Sequence, residues 1–393
     1  MRKRLRVLSA TAVVGLLALV AACSSESSAD DESASASGSD AINIALIVPL
    51  TGDAALEGEN AVNAATLAVE QIAADGGPTV TFDQLDDQAD ATASANIASQ
   101  QVDRYQNGEI DAVVGLAWSG LALADNPLLE AAGVPTIGTT PSNPSISEQG
   151  WTNWLRMVQS DEGQANQLSA FAVNNLGATK VAILYSNNDY GVGIKDYQVE
   201  SLETLGADLV AEETFTPSED TDFTTQLTNI KASGAEAIIL DTGYTEGGLI
   251  MRQAEQLGLD LPVVASGNNL YQDFIDLADG AAEGAYVLTV FDSFSEDATT
   301  KAFADTYQER FGSLPAEGAY TTYDAFLAIA QAYEDGATSD TLIDSLKTSG
   351  FTGAGGSYAW DDAGDVADKP LAVIEVEDGE FASSGLTVDT TGL

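Results

Sequence analysis

Histidine is absent from the 393 residues of the chain, and cysteine occurs only once, as Cys23. The lack of histidine excludes the histidine-based catalytic triads and removes the commonest general base and metal ligand. A single thiol excludes an internal disulfide bond and a metal cluster held by thiolates. The sequence also shows no nucleophile motif and no glycine-rich phosphate loop, so we expect neither an enzyme nor a protein that holds a metal or another cofactor.

Basic residues are also scarce, since 14 lysines and arginines stand against 61 aspartates and glutamates and the formal charge is −47. A surface of this charge repels nucleic acids and anionic lipids. The acidic residues are scattered, as in a solvated acidic coat, which suggests a high-salt host as a hypothesis. The clusters at 86–90 and 218–222 lack the glycine and terminal glutamate of a calcium-binding helix–loop–helix, so neither predicts a calcium site.

The first 22 residues have the pattern of a signal peptide. A basic start at 2–6 precedes an apolar run at 7–22, which is shorter than the roughly 20 residues of a membrane-spanning helix. The letters VAAC at 20–23 resemble a bacterial lipoprotein box, and this resemblance implies cleavage before Cys23 and lipid attached to it. The alternative is an ordinary signal peptide followed by a chance cysteine.

Serine and acidic residues dominate the segment that follows, 24–40. Such a segment has almost nothing to bury, so residues 23–40 are predicted to form a flexible, lipidated tether. We therefore expect the protein outside the cytoplasm, anchored to the cell membrane through its lipid.

The chain from Ala41 onward alternates between apolar runs of strand length and segments with helical spacing. Examples are the runs at 42–50 and 180–186, and the helical patterns at 58–77 and 246–258. Buried apolar strands separated by helices predict parallel sheets covered on both faces, and this length favours two lobes. The predicted fold class is α/β, with two doubly wound parallel-sheet lobes. Ligands of such sheets bind beyond the carboxyl ends of the strands, which would face each other across a cleft.

Six stretches between about 44 and 365 together resemble the periplasmic binding proteins of the branched-chain amino acid (leucine/isoleucine/valine) transport family. They are PLTGDAALEGENAVNAATLAVEQIAADGG, VVGLAWSG, GVPTIGTTPSNPSIS, VAILYSNNDYGVG, YTEGGLIMRQAEQLGL and GAYTTYDAFLAIAQA. Each motif is loose alone, but their order and spacing are specific.

The resemblance implies a type I periplasmic binding protein, whose two lobes are joined by a three-strand hinge. By analogy the chain crosses between lobes near 158–162, 291–295 and 353–360. The N-terminal lobe would be 41–158 plus 293–355, and the C-terminal lobe 159–292 plus 356–393.

The motifs also imply ligand-binding residues in the N-terminal lobe. Ser119 in GLAWSG matches a hydroxyl that holds the ligand carboxylate at a helix start, although it could simply cap that helix. In TTPSNP, Thr140 matches a backbone carbonyl that meets the ligand's amino group, and Ser142 matches a hydroxyl that does so. The alternative for these two residues is a proline-rich turn. Trp118 either lines the pocket or packs in the core.

The far lobe is implied to offer Tyr190 and Tyr244, which could equally be half-buried scaffold. Two positions depart from the family pattern. Asn268 stands where amino acid binders carry an acid, and Glu57 stands in the first loop where they often carry tyrosine. Our hypothesis is that Glu57 takes over the cationic end of the ligand while Ser119 keeps the carboxylate. The alternative is that Glu57 is solvated and that Asn268 holds an uncharged amide.

The leading functional interpretation is a monomeric receptor that captures a small amino acid, branched-chain or similar, and delivers it to the permease and ATPase of an ABC importer. A second interpretation is a receptor for short amides or urea-like solutes. A third is a ligand-sensing domain that signals through a separate partner.

Overall fold

The computed structural model describes residues 41–393, so the predicted signal peptide, Cys23 and the tether lie outside the described residues. Within residues 41–393, no helix combines the length and the apolar character that crossing a membrane requires.

The first sheet has five parallel strands in the order β2-β1-β3-β4-β5. Its strands are β1 (Ala41–Val48), β2 (Thr79–Asp86), β3 (Ala112–Gly115), β4 (Thr136–Gly138) and β5 (Trp154–Arg156). All four residues of β3 and all three of β4 are buried, as expected for central strands that helices cover on both faces.

The second sheet has seven strands in the order β14-β13-β10-β9-β8-β6-β7. Its strands are β6 (Lys180–Ser186), β7 (Asp208–Phe215), β8 (Ala237–Asp241), β9 (Val263–Ser266), β10 (Tyr286–Thr289), β13 (Ala372–Glu377) and β14 (Glu380–Thr387). The strands from β6 to β10 pair in parallel, whereas β13 runs antiparallel to both β10 and β14.

The antiparallel edge differs from the wholly parallel sheets that the alternating pattern predicts. Strands β13 and β14 form a hairpin over 372–387, and its turn residues Asp378 and Gly379 both have positive φ, at 54° and 79°. Two positive-φ residues form the tight turn whose twist matches a β-hairpin, and Asp-Gly is a typical sequence for it.

Eleven α-helices lie between the strands of residues 41–393. They are α1 (Ala55–Ala74), α2 (Ala91–Gln106), α3 (Ser119–Ala131), α4 (Asp161–Ala170), α5 (Asp189–Leu205), α6 (Thr224–Ser233), α7 (Tyr244–Gln256), α8 (Gln272–Ala278), α9 (Ala298–Phe311), α10 (Glu317–Glu334) and α11 (Leu342–Ser349). Helices α1 and α10 pack against each other over the first sheet, and together with it they enclose one apolar core.

The chain leaves the first sheet after β5, returns to its core after β10, and leaves again before β13. A short hairpin, β11 (Phe351–Gly353) and β12 (Gly356–Tyr358), still packs with the first core, as do Trp360 and Val366. We therefore propose the third crossing at 367–371 rather than at 353–360. With this change the predicted N-terminal lobe extends to residue 366 instead of 355. The other predicted lobe boundaries are unchanged and remain predictions.

Candidate ligand-binding cavity

A cavity of about 300 Å³, called here the main cavity, lies between the carboxyl ends of the two sheets. This volume is at the lower end of the range for small-molecule sites. The eight residues implied by the sequence motifs all line it: Glu57, Trp118, Ser119, Thr140, Ser142, Tyr190, Tyr244 and Asn268. The structure thus brings together residues that are 211 positions apart in the chain.

Ser119 is the first residue of α3, and its side chain is buried. Its Oγ accepts a hydrogen bond of 3.2 Å from the backbone N–H of Asn143. No side chain caps α3, and its first three residues all line the main cavity. Backbone donors at an uncapped helix start are suited to an anion.

The loop after β4 supplies Thr140 and Ser142. The Thr140 hydroxyl donates to the carbonyl of Ala117 at 2.9 Å, which joins this loop to the one before α3. Behind the loop, Asp161 is fully buried; burial raises its pKa to about 7, although the Ser142 hydroxyl opposes this rise. The backbone N–H of Asp161 donates to the carbonyl of Ser142 at 2.9 Å, which joins this loop to the start of α4.

The two predicted tyrosines, Tyr190 and Tyr244, lie in different surroundings. The Tyr244 hydroxyl donates to the backbone carbonyl of Asp53 at 2.7 Å, and its ring lies 4.7 Å from that of Tyr271. Tyr190 lies in the first turn of α5, where burial raises its pKa well above the ordinary value and the nearby Asp241 adds to this. Tyr244 thus joins the two sides of the cleft, a role that the motif alone did not indicate.

Glu57 lies in the first turn of α1, not in the loop before it. Its Oε2 accepts a hydrogen bond of 2.9 Å from Trp118 Nε1, so Trp118 orients this carboxyl. Burial raises the pKa of Glu57 to about 7, against the lowering effect of Trp118.

Glu317 is one of the lining residues of the main cavity that no sequence motif indicated. It opens α10, lines the main cavity and is only 8% exposed. Among the described residues its carboxylate has no hydrogen-bond partner, and burial raises its pKa to about 8. The sequence signal was weak, because an acid at a helix start after a proline is common for reasons of capping and helix dipole.

The electrostatic character of the main cavity is negative. Five of its lining residues are acidic, namely Asp53, Glu57, Asp189, Glu246 and Glu317, and in the described part of the chain no lysine or arginine lines it. Asp241 is buried as well, and burial raises its pKa to about 7. Within residues 41–393, no group of three or more carboxylates or other ligating side chains is arranged to hold a metal ion.

Two hydrogen bonds, called here the latches, join the sides of the cleft. One is the bond from Tyr244 to the carbonyl of Asp53. The other runs from Asn143 Nδ2, after β4, to the backbone carbonyl of Asp189 at the start of α5, at 2.5 Å. The two sides of the main cavity are therefore in direct contact at two separate places.

Known proteins resemble this chain over most of its length. A Leu/Ile/Val-binding protein, BraC3 of Rhizobium johnstonii, is 26% identical over 351 residues, which cover 87% of this chain and 94% of that protein.

Solved structures of similar proteins also match this chain over most of its length. The leucine binding protein LivK of Thermotoga maritima is 27% identical, with a TM-score of 0.81 over 90% of this chain and 100% of its own. The branched-chain amino acid transporter substrate binding protein LivJ of Streptococcus pneumoniae, solved in complex with isoleucine, is 28% identical, with a TM-score of 0.81 over 88% of this chain and 99% of its own.

The resemblance found in the sequence motifs and the type I fold that it implied are therefore confirmed. A family model described as periplasmic binding protein matches residues 41–380. This family has a solute-binding role rather than an enzymatic one. The chain belongs to the periplasmic binding protein family.

Proposed function

We propose that this protein is an extracytoplasmic receptor that captures a small amino acid between its two lobes and delivers it, as a monomer, to the permease of an ABC importer. The observation that carries the proposal is the arrangement of the main cavity, with an uncapped helix start on one side and buried carboxyls without cations beside them. These two features are complementary to the two charges of a zwitterion. The binding of leucine or isoleucine named for similar proteins supports an amino acid.

The anionic end of the ligand is assigned to the start of α3. The Ser119 hydroxyl already accepts from Asn143, so its own proton is available to donate to a carboxylate. The backbone N–H groups of the first turn add further donors, and the helix dipole favours a negative charge there.

The cationic end is assigned to Glu57, with Thr140 and Asn268 beside it. Glu57 is already oriented by Trp118, so its position does not depend on the ligand. An ammonium group that loses its water in the cleft needs such a partner, because an unpaired buried charge costs several kcal/mol.

A ligand screen followed by thermal unfolding tests the function. We expect one or more amino acids to stabilise the protein, by about 2.7 kcal/mol at 100 times the dissociation constant. Ser119→Ala should weaken that binding at least about tenfold, or ~1.4 kcal/mol, because a carboxylate donor is lost. Ser349→Ala, at the exposed end of α11, is the matched control and should bind normally. A screen in which no amino acid stabilises the protein would contradict the proposal.

One observation favours a second candidate, a short amide or urea-like solute. The pKa of Glu57 is raised to about 7, so near neutral pH its carboxyl is partly protonated and can donate to an amide oxygen. Asn268, which lines the same cavity, would then pair with the amide. If amides and ureas stabilise the protein in the screen and amino acids do not, this candidate replaces the first.

Membrane anchoring through Cys23 is the second part of the proposal, and it is supported by the sequence pattern alone. Cys23→Ala should move the mature protein from the membrane to the aqueous fraction on detergent phase separation, because a lipid chain needs the thiol. Its ligand affinity should be unchanged, since the cavity lies within 41–393. Ser24→Ala should still partition with the membrane. If the Cys23→Ala protein still partitions with the membrane after its signal peptide has been removed, the proposed lipid anchor is wrong.

A further inference from the structure

We infer that the ligand carries a second cationic nitrogen, so that among amino acids the basic ones, of the lysine and arginine class, are preferred to neutral ones. The inference rests on the proposed function, which supplies the amino acid framework, and it specifies the side chain. It follows from Glu317, a carboxylate that lines the main cavity, is more than nine-tenths buried and has no hydrogen-bond partner among the described residues.

Glu317 does not act alone. A second, narrower space of about 30 Å³, called here the recess, adjoins the main cavity. Both Glu57 and Glu317 line the recess as well as the main cavity, together with Thr140 and Asn268. The recess is large enough for a group of the size of one water molecule or one ammonium. Much of its lining is apolar, but the two carboxyls in it can accept hydrogen bonds from a donor placed there. Two carboxyls, an amide and a threonine thus surround positions that cationic nitrogens can occupy.

The balance of charge selects between ligands. A neutral amino acid brings one ammonium and one carboxylate, and the start of α3 accounts for the carboxylate. Its single ammonium can pair with one of the two glutamates, which leaves the other as an unpaired acid in a closed cavity. That acid then either keeps its proton and makes no ion pair with the ligand, or ionises without a partner at a cost of several kcal/mol. A second cationic nitrogen lets both glutamates ionise and pair, so a basic amino acid gains an ion pair that a neutral one cannot make.

The protein itself offers no substitute for that second cation. Arg156 acts on the buried Asp161, but its guanidinium is occupied by Asp365, at 2.7 Å, and by the carbonyl of Ser142, at 2.9 Å. Lys369 donates to the carbonyl of Gly355 and lies 4.3 Å from the ring centre of Tyr358. In the described residues, neither lines the main cavity or the recess.

The main cavity also suits the apolar stem of a basic side chain. Trp118, Tyr190 and Leu121 line it beside the carboxyls. Lysine and arginine carry methylene chains that pack on such surfaces while their charged ends reach polar partners. A diamine also carries two cationic nitrogens, but it has no carboxylate for Ser119 to bind. The ligand is therefore assigned as a basic amino acid rather than a diamine.

Matched ligand pairs test the inference by titration calorimetry on the mature protein. Lysine is compared with norleucine, which keeps the stem without the amine, and arginine with citrulline, which keeps the shape without the charge. Cadaverine, which is lysine without its carboxylate, completes the set. We expect lysine or arginine to bind at least about tenfold more tightly than its neutral partner.

Glu317→Gln should remove most of that preference, weakening the basic ligand at least about tenfold while norleucine or citrulline binds equally well or better. Glu57→Gln removes the partner assigned to the ammonium that all the amino acids share, so it should weaken lysine and norleucine alike. Glu334→Gln, at the exposed end of the same helix α10, should leave all affinities unchanged. Thermal unfolding of each free variant shows that a lost affinity is not lost folding.

The outcomes separate the two proposals. Neutral amino acids that bind as tightly as basic ones would overturn this inference and leave the amino acid function in place. Cadaverine binding as tightly as lysine would support the second cation and overturn the amino acid function. The failure of every ligand in the set would overturn this inference, and the amino acid function would be overturned only if the wider screen of amino acids failed as well.

Discussion

The free energy of unfolding of the ligand-free protein is expected to fall by several kcal/mol as the pH rises from about 5.5 to about 8.5. The cause is a set of buried carboxyls at the cleft: Glu57, Asp161, Asp241 and Glu317. Burial raises the pKa of the first three to about 7 and that of Glu317 to about 8. Asp161 contributes to the rise at both Asp241 and Glu317, so these acids repel one another as they ionise.

The sign follows from where the protons are held. The ordinary pKa values are 4.5 for glutamate and 3.8 for aspartate, so the unfolded chain has lost these protons by about pH 5.5. The folded protein keeps them until the pH passes about 7 to 8. The stabilisation is therefore present at low pH and is lost as the pH rises through the folded values.

Urea unfolding at several pH values measures this effect. Each carboxyl that holds its proton only in the folded state lowers the free energy of unfolding by about 1.4 kcal/mol per pH unit. Glu317→Gln removes one such group and should make the pH dependence less steep by up to that amount. Glu334→Gln should retain the slope of the original protein. A flat profile across this range would show that the cleft carboxyls are ionised and solvated in the folded state.

Replacement of Arg156 by methionine is expected to destabilise the protein by about 3–5 kcal/mol, the cost typical of breaking a buried ion pair. Arg156 ends β5 and its side chain is fully buried. Its Nε lies 2.7 Å from Asp365 Oδ1, in an ion pair whose angle is poor for a hydrogen bond. Its Nη1 donates to the carbonyls of Ser142 and Asn143, and Nη2 donates to Ser147 Oγ.

The methionine variant would leave Asp365 without its cation and remove a partner from the loop that carries Ser142. We therefore expect weaker ligand binding as well as lower stability, even though the Arg156 side chain does not line the cavity. Arg156→Lys keeps the charge but not the planar fork, so it should be intermediate. Arg310→Met is the matched control, because the Arg310–Glu70 pair is exposed and such pairs contribute about 0–1 kcal/mol. Urea unfolding and calorimetry give both quantities, and an Arg156→Met protein as stable as the Arg310→Met control would contradict this account.

The local sequence pattern predicted a strand well where a run of buried apolar residues is bounded by polar residues on both sides. The apolar run 180–186 coincides with β6, Lys180–Ser186, because buried residues fill it and polar residues bound it. The hairpin at Asp378–Gly379 was equally local and could have been predicted from its Asp-Gly turn. The antiparallel edge of the second sheet was not predicted, because the apolar pattern of a strand does not indicate whether it pairs parallel or antiparallel with its neighbour.

The site was predictable only where a motif carried it. All eight motif-derived residues line the main cavity, yet Glu317 was missed because its role depends on Glu57, which lies 260 positions earlier in the chain. The pairing of Arg156 with Asp365 is likewise invisible to local pattern. The bond from Tyr244 to Asp53 uses a backbone carbonyl, which leaves no trace in the identity of residue 53.

That last feature bears on how freely the rim of the cleft can change in evolution. Both latches end on backbone carbonyls, those of Asp53 and Asp189, and every residue type has such an acceptor. Substitution at these two positions can therefore add or remove surface charge without deleting a bond across the cleft. A lineage adapting to a different salinity could alter the acidity of its surface there and retain the same pair of contacts.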